Sequence, residues 1–173
     1  MTKPETTTTD PSAKLHALIS GIDDAMLVTS DAHGHPHARP MRIVAFDEST
    51  RDDLWFVSYL DSTKIEEIRT EPRVCVSMAN GARFISMTGY ADIVLDKRKL
   101  SQLWRSEWGD WMPEGPTSDA LALIQVRPLY VEYWDQSMSN RVRFAVEAAK
   151  AWWKDEAIEA PEGPEYHANL HYG

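Results

Sequence analysis

The chain has 173 residues, room for about one domain of ~150 residues and for a core that folds without metal or disulfide. Its 18 basic and 27 acidic side chains leave a net charge of −9, which argues against nucleic-acid and membrane-surface partners, because phosphate backbones select basic patches. The one cysteine, Cys75, excludes an internal disulfide and any multi-cysteine zinc site.

No apolar run reaches the ~18 residues of a membrane span. The Thr-rich start lacks the apolar stretch of a secretory signal, so a cytoplasmic location is expected. Residues 1–11 read as a disordered leader. Ser12 to Ser20 is a short helix with Leu15, Leu18 and Ile19 on one face and Gly21 as its stop. Asp24 to Ser30 is a strand, followed by a breaker-rich turn from Asp31 to Pro36. His37 to Phe46 resumes as a strand, and Leu54 to Leu60 is a third. Asp61 to Glu71 is a helix that Pro72 ends.

Val74 to Ala79 and Arg83 to Leu95 flank Asn80-Gly81, a strong hairpin signal that expects positive φ at both turn residues. The second arm alternates. Ile85, Met87, Gly89, Ala91, Ile93 and Leu95 face one way; Ser86, Thr88, Tyr90 and Asp92 face the other. Asp96 N-caps a helix expected to run to about Glu107. After an irregular stretch from Trp108 to Ser118, Leu121 to Trp134 forms a last strand. Asn140 to Lys154 is amphipathic and helical, and the Pro/Gly/Glu-rich end reads as loose. Six strands joined by hairpins and short helices predict a mainly β, α+β fold: an antiparallel sheet closed into a small barrel.

One segment carries an anion signal. Thr63 and Glu66 fit a capping box, which starts a helix near Lys64. A lysine in the first turn opposes the helix dipole unless an anion is bound there. Ser62, Thr63, the free backbone N–H groups and Lys64 then converge on one phosphate. The bland alternative is a solvated lysine beside an ordinary cap. Arg39 offers a second positive charge, on the same strand face as Met41. Pro40 within a strand pattern marks an edge, a bulge or a ligand approach.

The runs Ala38 to Met41, Trp55 to Ser58, Ser62 to Lys64 and Phe84 to Gly89, in this order, resemble the split-barrel superfamily related to pyridoxamine 5′-phosphate oxidase. The bacterial general stress protein branch is the nearer match, also through the stretch from Trp104 to Gly115 and the strand ending at Trp134. The resemblance implies an antiparallel six-stranded split β-barrel of the FMN-binding type. It implies a homodimer with the flavin at the subunit interface. In that reading Arg39 reaches the phosphate, Pro40 and Met41 run along the isoalloxazine, and Val57 and Ser58 contact the ring or ribityl chain. Ser62, Thr63 and Lys64 form the phosphate clamp. Thr63 stands where the oxidases carry an arginine, and Arg42 is the nearby compensating charge.

The oxidases' C-terminal arginine and histidine segment has no match, so pyridoxamine phosphate oxidase activity itself is not expected. The domain plan is a leader (1–11), a split-barrel domain (12–138), a C-terminal helix (139–156) and a flexible tail (157–173). FMN, with FAD as an alternative, is the expected cofactor. A flat apolar wall for its ring is expected from Trp111, with Trp108 and Trp134 as further candidates. Trp104 and Trp108, four apart on one helix face, read as packing residues.

The function implied is a flavin-dependent oxidoreductase linked to general stress. Hydride passes through flavin N5 from a diffusible nicotinamide, since the chain has no glycine-rich dinucleotide fingerprint. No catalytic acid or base stands out. A non-catalytic flavin buffer is the first alternative. A haem-binding relative, using His16, His37 or a tail histidine, and a purely structural protein are the others. His33, His35 and His37 alternate, but Gly34 and Pro36 make them a solvated hairpin tip, so no metal site is expected. Cys75 reads as a structural strand thiol.

Overall fold

The computed structural model describes residues 10–137, 164 and 166–172. Helix α1 (Pro11–Ile19) opens on Asp10, whose side chain accepts from the Ser12 N–H. Its proline sits in the first turn, where no intrahelical donor is lost. Leu15, Leu18 and Ile19 are buried, as their spacing predicts.

Among the described residues, eight strands form one antiparallel sheet: β1 (Asp24–Ser30), β2 (Pro36–Arg42), β3 (Ala45–Asp47), β4 (Asp53–Tyr59), β5 (Arg73–Asn80), β6 (Arg83–Val94), β7 (Leu121–Asp135) and β8 (His167–His171). The order is β2-β1-β5-β6-β7-β4-β3, with β8 paired to β7. Strands β2 and β3 stand at opposite ends of this order, yet only Ile43 and Val44 separate them in the chain. The sheet must therefore curl until its ends approach, which makes it a split β-barrel with few helices. The Ile43 N–H donates to the Asp23 carbonyl, and the Val44 N–H donates to the Trp55 carbonyl, each at 2.8 Å. This change of partner cuts the strand expected over 37–46 into β2 and β3.

The strand count corrects the expected six in a second place. Part of the expected loose tail is β8, with Ala168 and Leu170 packed against the core. The helix expected over 139–156 and most of the leader lie outside the described residues.

Interior positions of β6 follow the predicted alternation, with Ile85, Met87 and Ala91 buried. The pairing register shifts between Thr88 and Gly89. A Cβ on Gly89 would meet the Arg127 carbonyl oxygen at 2.0 Å, so only glycine permits this approach of β7. The β5–β6 turn differs from the Asn-Gly expectation. Asn80 stays in the ladder opposite Arg83, and Gly81 alone takes a positive φ, at 62°. Glycine thus occupies the first central position, the arrangement of a II′ turn. The Asn80 amide donates instead to the Gly21 carbonyl at 2.8 Å.

Two apolar clusters result. The barrel interior holds Leu27, Leu54, Phe56, Val76, Met87, Ile124 and Tyr133 among others. A second cluster lies on the other face of β4, where Val44, Trp55, Val57, Leu121 and Leu123 meet Leu100 of α3 (Lys97–Leu103). Strand β4 is therefore buried on both faces. Each such apolar side chain contributes roughly 1.5–3 kcal/mol by leaving water. Asp96 caps α3 by accepting from the Lys99 N–H at 3.0 Å. The helix stops at Leu103, short of Glu107, and a 3-10 turn follows over Ser106–Asp110. Trp104 and Trp108 nevertheless meet edge to face, with centroids 5.6 Å apart, against the second cluster.

Candidate functional site

Helix α2 (Thr63–Thr70) follows β4 after a tight turn. Its N-cap is Ser62, one residue earlier than the Thr63–Glu66 capping box predicts, and no side chain caps it. The Ser62 hydroxyl has a better acceptor: it donates to the Tyr59 carbonyl at 2.7 Å. Ser58 Oγ lies 2.9 Å from Ser62 Oγ, and Lys64 Nζ donates to Ser58 Oγ at 3.0 Å. A directed chain thus runs from Lys64 through Ser58 and Ser62 to the backbone. It leaves the first-turn N–H groups of α2 without a side-chain cap. It also uses only one of the three Lys64 donors on a protein acceptor, among the described residues.

Lys64 is held below its ordinary pKa, first by burial and then by the charge of Arg39. A bound anion would offset this repulsion. Arg39 reaches this place from β2, on the face that Met41 turns toward the core. Its guanidinium donates to Thr29 of β1 and, at 2.8 Å, to Glu67 of α2. Glu67 is 5% exposed. Burial pushes its pKa up, but hydrogen bonds from Thr29, His37 and Arg39 outweigh this and hold the carboxyl below the usual range.

A cleft of about 270 Å³ lies beside this cluster in sequence, lined by Arg42, Val44, Val57, Glu107, Trp108, Trp111 and Met112. Trp111 is 72% exposed. The Tyr59 hydroxyl holds its loop, donating to Glu114 at 3.0 Å and lying 3.2 Å from the Trp111 carbonyl. Consecutive residues of β4 divide their labour: Val57 faces the cleft and Ser58 belongs to the polar chain. Arg42 is drawn toward the acidic start of β1, 3.0 Å from Asp24 and 3.6 Å from Asp23.

The expected residues therefore fall into two groups. Arg39, Ser58, Ser62 and Lys64 come together around the start of α2, with Thr63 exposed on its first turn. Val57 and Trp111 meet in the cleft with Trp108. Pro40 is exposed on the edge strand β2, where its missing N–H costs no ladder bond. Trp134 stacks on His167 of β8, with rings 5.4 Å apart, away from both groups.

Sequence reasoning missed Glu67 and misplaced His37. His37 is not a solvated tip residue: its Nδ1 donates to Glu67 Oε1 at 2.6 Å. Glu67 is one turn beyond Lys64 on α2, and a carboxylate at that spacing is the signal that was available. His35 does sit on the turn, 3.1 Å from Asp31. His16 is held by Asp52 at 2.7 Å. Both ring nitrogens of His16 face carboxylates, Glu48 and Asp52, whereas His37 meets Glu67 through Nδ1 alone.

A family model described as pyridoxamine 5′-phosphate oxidase like matches residues 10–159. No curated protein matches the chain. Among solved structures, general stress protein 26 from Bacillus anthracis str. Sterne is similar at a TM-score of 0.63 and 22% identity, covering 70% of this chain and 92% of its own. A Clostridium acetobutylicum protein related to general stress protein 26 reaches 0.62 at 16% identity, covering 73% and 91%. An FMN-binding protein related to pyridoxamine 5′-phosphate oxidase, from Nostoc punctiforme PCC 73102, reaches 0.53 at 18% identity, covering 72% and 81%. These likenesses are of fold, and they agree with the curled sheet described above. With 150 of its 173 residues inside the family model, the chain belongs to the pyridoxamine 5′-phosphate oxidase like family.

Proposed function

We propose that the protein binds FMN and works as a flavin-dependent oxidoreductase, with the flavin phosphate at the start of α2 and the ring system toward the Trp111 cleft. The observation that carries this reading is Lys64: a half-buried ammonium with spare donors, beside Arg39 and an uncapped helix start. The residues fit the group. The clamp offers cationic and N–H donors suited to a phosphate, and the cleft offers flat apolar walls with Val57 and Trp111. One solved relative of the same fold carries FMN binding in its name, and others are named for general stress.

A bound flavin would supply hydride transfer, with a nicotinamide as the diffusible donor. This chain's own contribution is binding and orientation: Lys64 and Arg39 fix the phosphate end, and the Tyr59–Glu114 contact holds the Trp111 loop over the cleft. A homodimer belongs to the same proposal. Exposed Met26 of β1 and Phe84 and Tyr90 of β6 give a second copy an apolar surface.

The test is the visible spectrum of the freshly purified protein, mass spectrometry of what heat releases, and NAD(P)H oxidation by the flavin-loaded form. A yellow protein that releases FMN and turns over faster than free FMN is expected. A protein that stays colourless after addition of FMN or FAD ends the flavin reading. A loaded protein no faster than free FMN favours the non-catalytic alternative.

A further inference from the structure

His37 stands two residues from Arg39 on the same face of β2, opposite Thr29 of β1. Glu67 gathers all three. His37 Nδ1 lies 2.6 Å from Oε1, while Arg39 Nη2, at 2.8 Å, and the Thr29 hydroxyl share Oε2. The carboxylate can only accept, so the Nδ1 position carries the hydrogen. Nε2 is then the ring nitrogen left for a proton, on a side chain that is 47% exposed. The other charged groups nearby are Lys64, which feels the charges of Arg39, Asp61 and Glu67, and Asp61 itself at the entry to α2. Asp31 across the hairpin is taken up by His35.

With His37 neutral, Lys64 and Arg39 are balanced by Glu67 and Asp61 around the anion position. Protonation of His37 adds one net positive charge. We propose that His37 is the third cationic residue of this anion site, recruited through Glu67, so that the site holds a divalent oxyanion more tightly when the imidazole is protonated. The inference rests on the phosphate-clamp reading above. By linkage, an anion bound there favours the imidazolium in return.

The probe is inorganic sulfate, which stays a dianion between pH 6 and 8, whereas a phosphate would itself titrate. Sulfate affinity is read from backbone amide shifts of the full-length ¹⁵N-labelled protein at constant ionic strength. In the wild type, affinity at pH 6 is expected to exceed that at pH 8 by about three- to tenfold, the scale of one added charge at short range near a protein surface. His37→Gln should abolish this difference. His35→Gln should preserve the difference. Lys64→Ala should remove sulfate binding. An undiminished pH dependence in His37→Gln overturns the proposal. So does a pH-independent or absent sulfate site in the wild type, or a sulfate site indifferent to Lys64→Ala. PH-linked sulfate binding in a chain that takes up no flavin would sink the flavin reading alone. Flavin uptake beside a pH-independent sulfate site would sink only the role of His37.

Discussion

Lys64 and Glu67 sit one turn apart on α2 and meet opposite fates. Lys64 spends one donor on Ser58 and keeps the others. Truncating it removes a charge-assisted hydrogen bond, so Lys64→Ala should weaken FMN binding by about 1.5–3 kcal/mol. Quenching of flavin fluorescence during titration measures this, and an unchanged dissociation constant would remove Lys64 from the site. Glu67 is spent in full on three donors from two strands. Glu67→Ala strands Arg39 in a half-buried place and should cost roughly 3 kcal/mol of fold stability. The pH dependence has a definite sign. The folded carboxyl lies below its ordinary value of 4.5, so its contribution is complete above that value and is lost as pH falls through the folded one. Glu67→Gln should flatten the acid limb of a urea-midpoint profile below about pH 4.5. An identical limb in both proteins would mean that other carboxylates dominate.

At the scale of single elements, the bulge in β6 is the sharpest constraint. Gly89→Ala drives a methyl group into the Arg127 backbone. No flexible side chain can yield there, so β6 and β7 must part locally, at a cost of roughly 1–3 kcal/mol or more. A lower denaturation midpoint with an unchanged slope is the expected result. Gly89 was legible as an inward position of an alternating strand, because alternation is written in local sequence. The reason that only glycine serves was not legible, because it depends on Arg127, nearly forty residues away. The same division runs through the site. Arg39, Ser62 and Lys64 announced themselves by charge and helix position. The Glu67–His37 contact needed the β1–β2 hairpin and α2 to be laid side by side. Elements whose signal is local, such as β1 and the cap Asp96, stand where the sequence puts them. Those set by pairing, such as β3 and β8, do not.

Across the whole molecule, the two ends of the described chain lock onto one turn. Arg51 and Asp52 both take left-handed conformations, with φ of 62° and 67°, which costs non-glycine residues about 1–2 kcal/mol each. Asp52 is buried there, accepting from His16 of α1 and from the Tyr172 hydroxyl just beyond β8. Lys14 of α1 meets Asp135 at the end of β7, at 2.5 Å. Tyr172→Phe removes a donor from a buried carboxylate and should lower stability by about 1.5–3 kcal/mol, measurable by chemical denaturation. Burial and the neighbouring Asp52 raise the Tyr172 pKa. The unfolded chain therefore ionises first as pH rises past about 10, and wild-type stability should fall there more steeply than that of the variant.

The position of β7 in the strand order has a consequence for synthesis. Strand β4 pairs with β3 on one edge and with β7 on the other. Its β7 partner begins at Leu121, about 60 residues after β4 ends, a wait on the order of 3–12 s at ribosomal speeds. Throughout that interval a strand buried on both faces in the finished protein has one edge open and its apolar side chains uncovered. Nascent chains stalled before residue 121 should therefore be the ones that chaperones bind. Release of that grip should coincide with the emergence of β7, not with completion of the helix that precedes it.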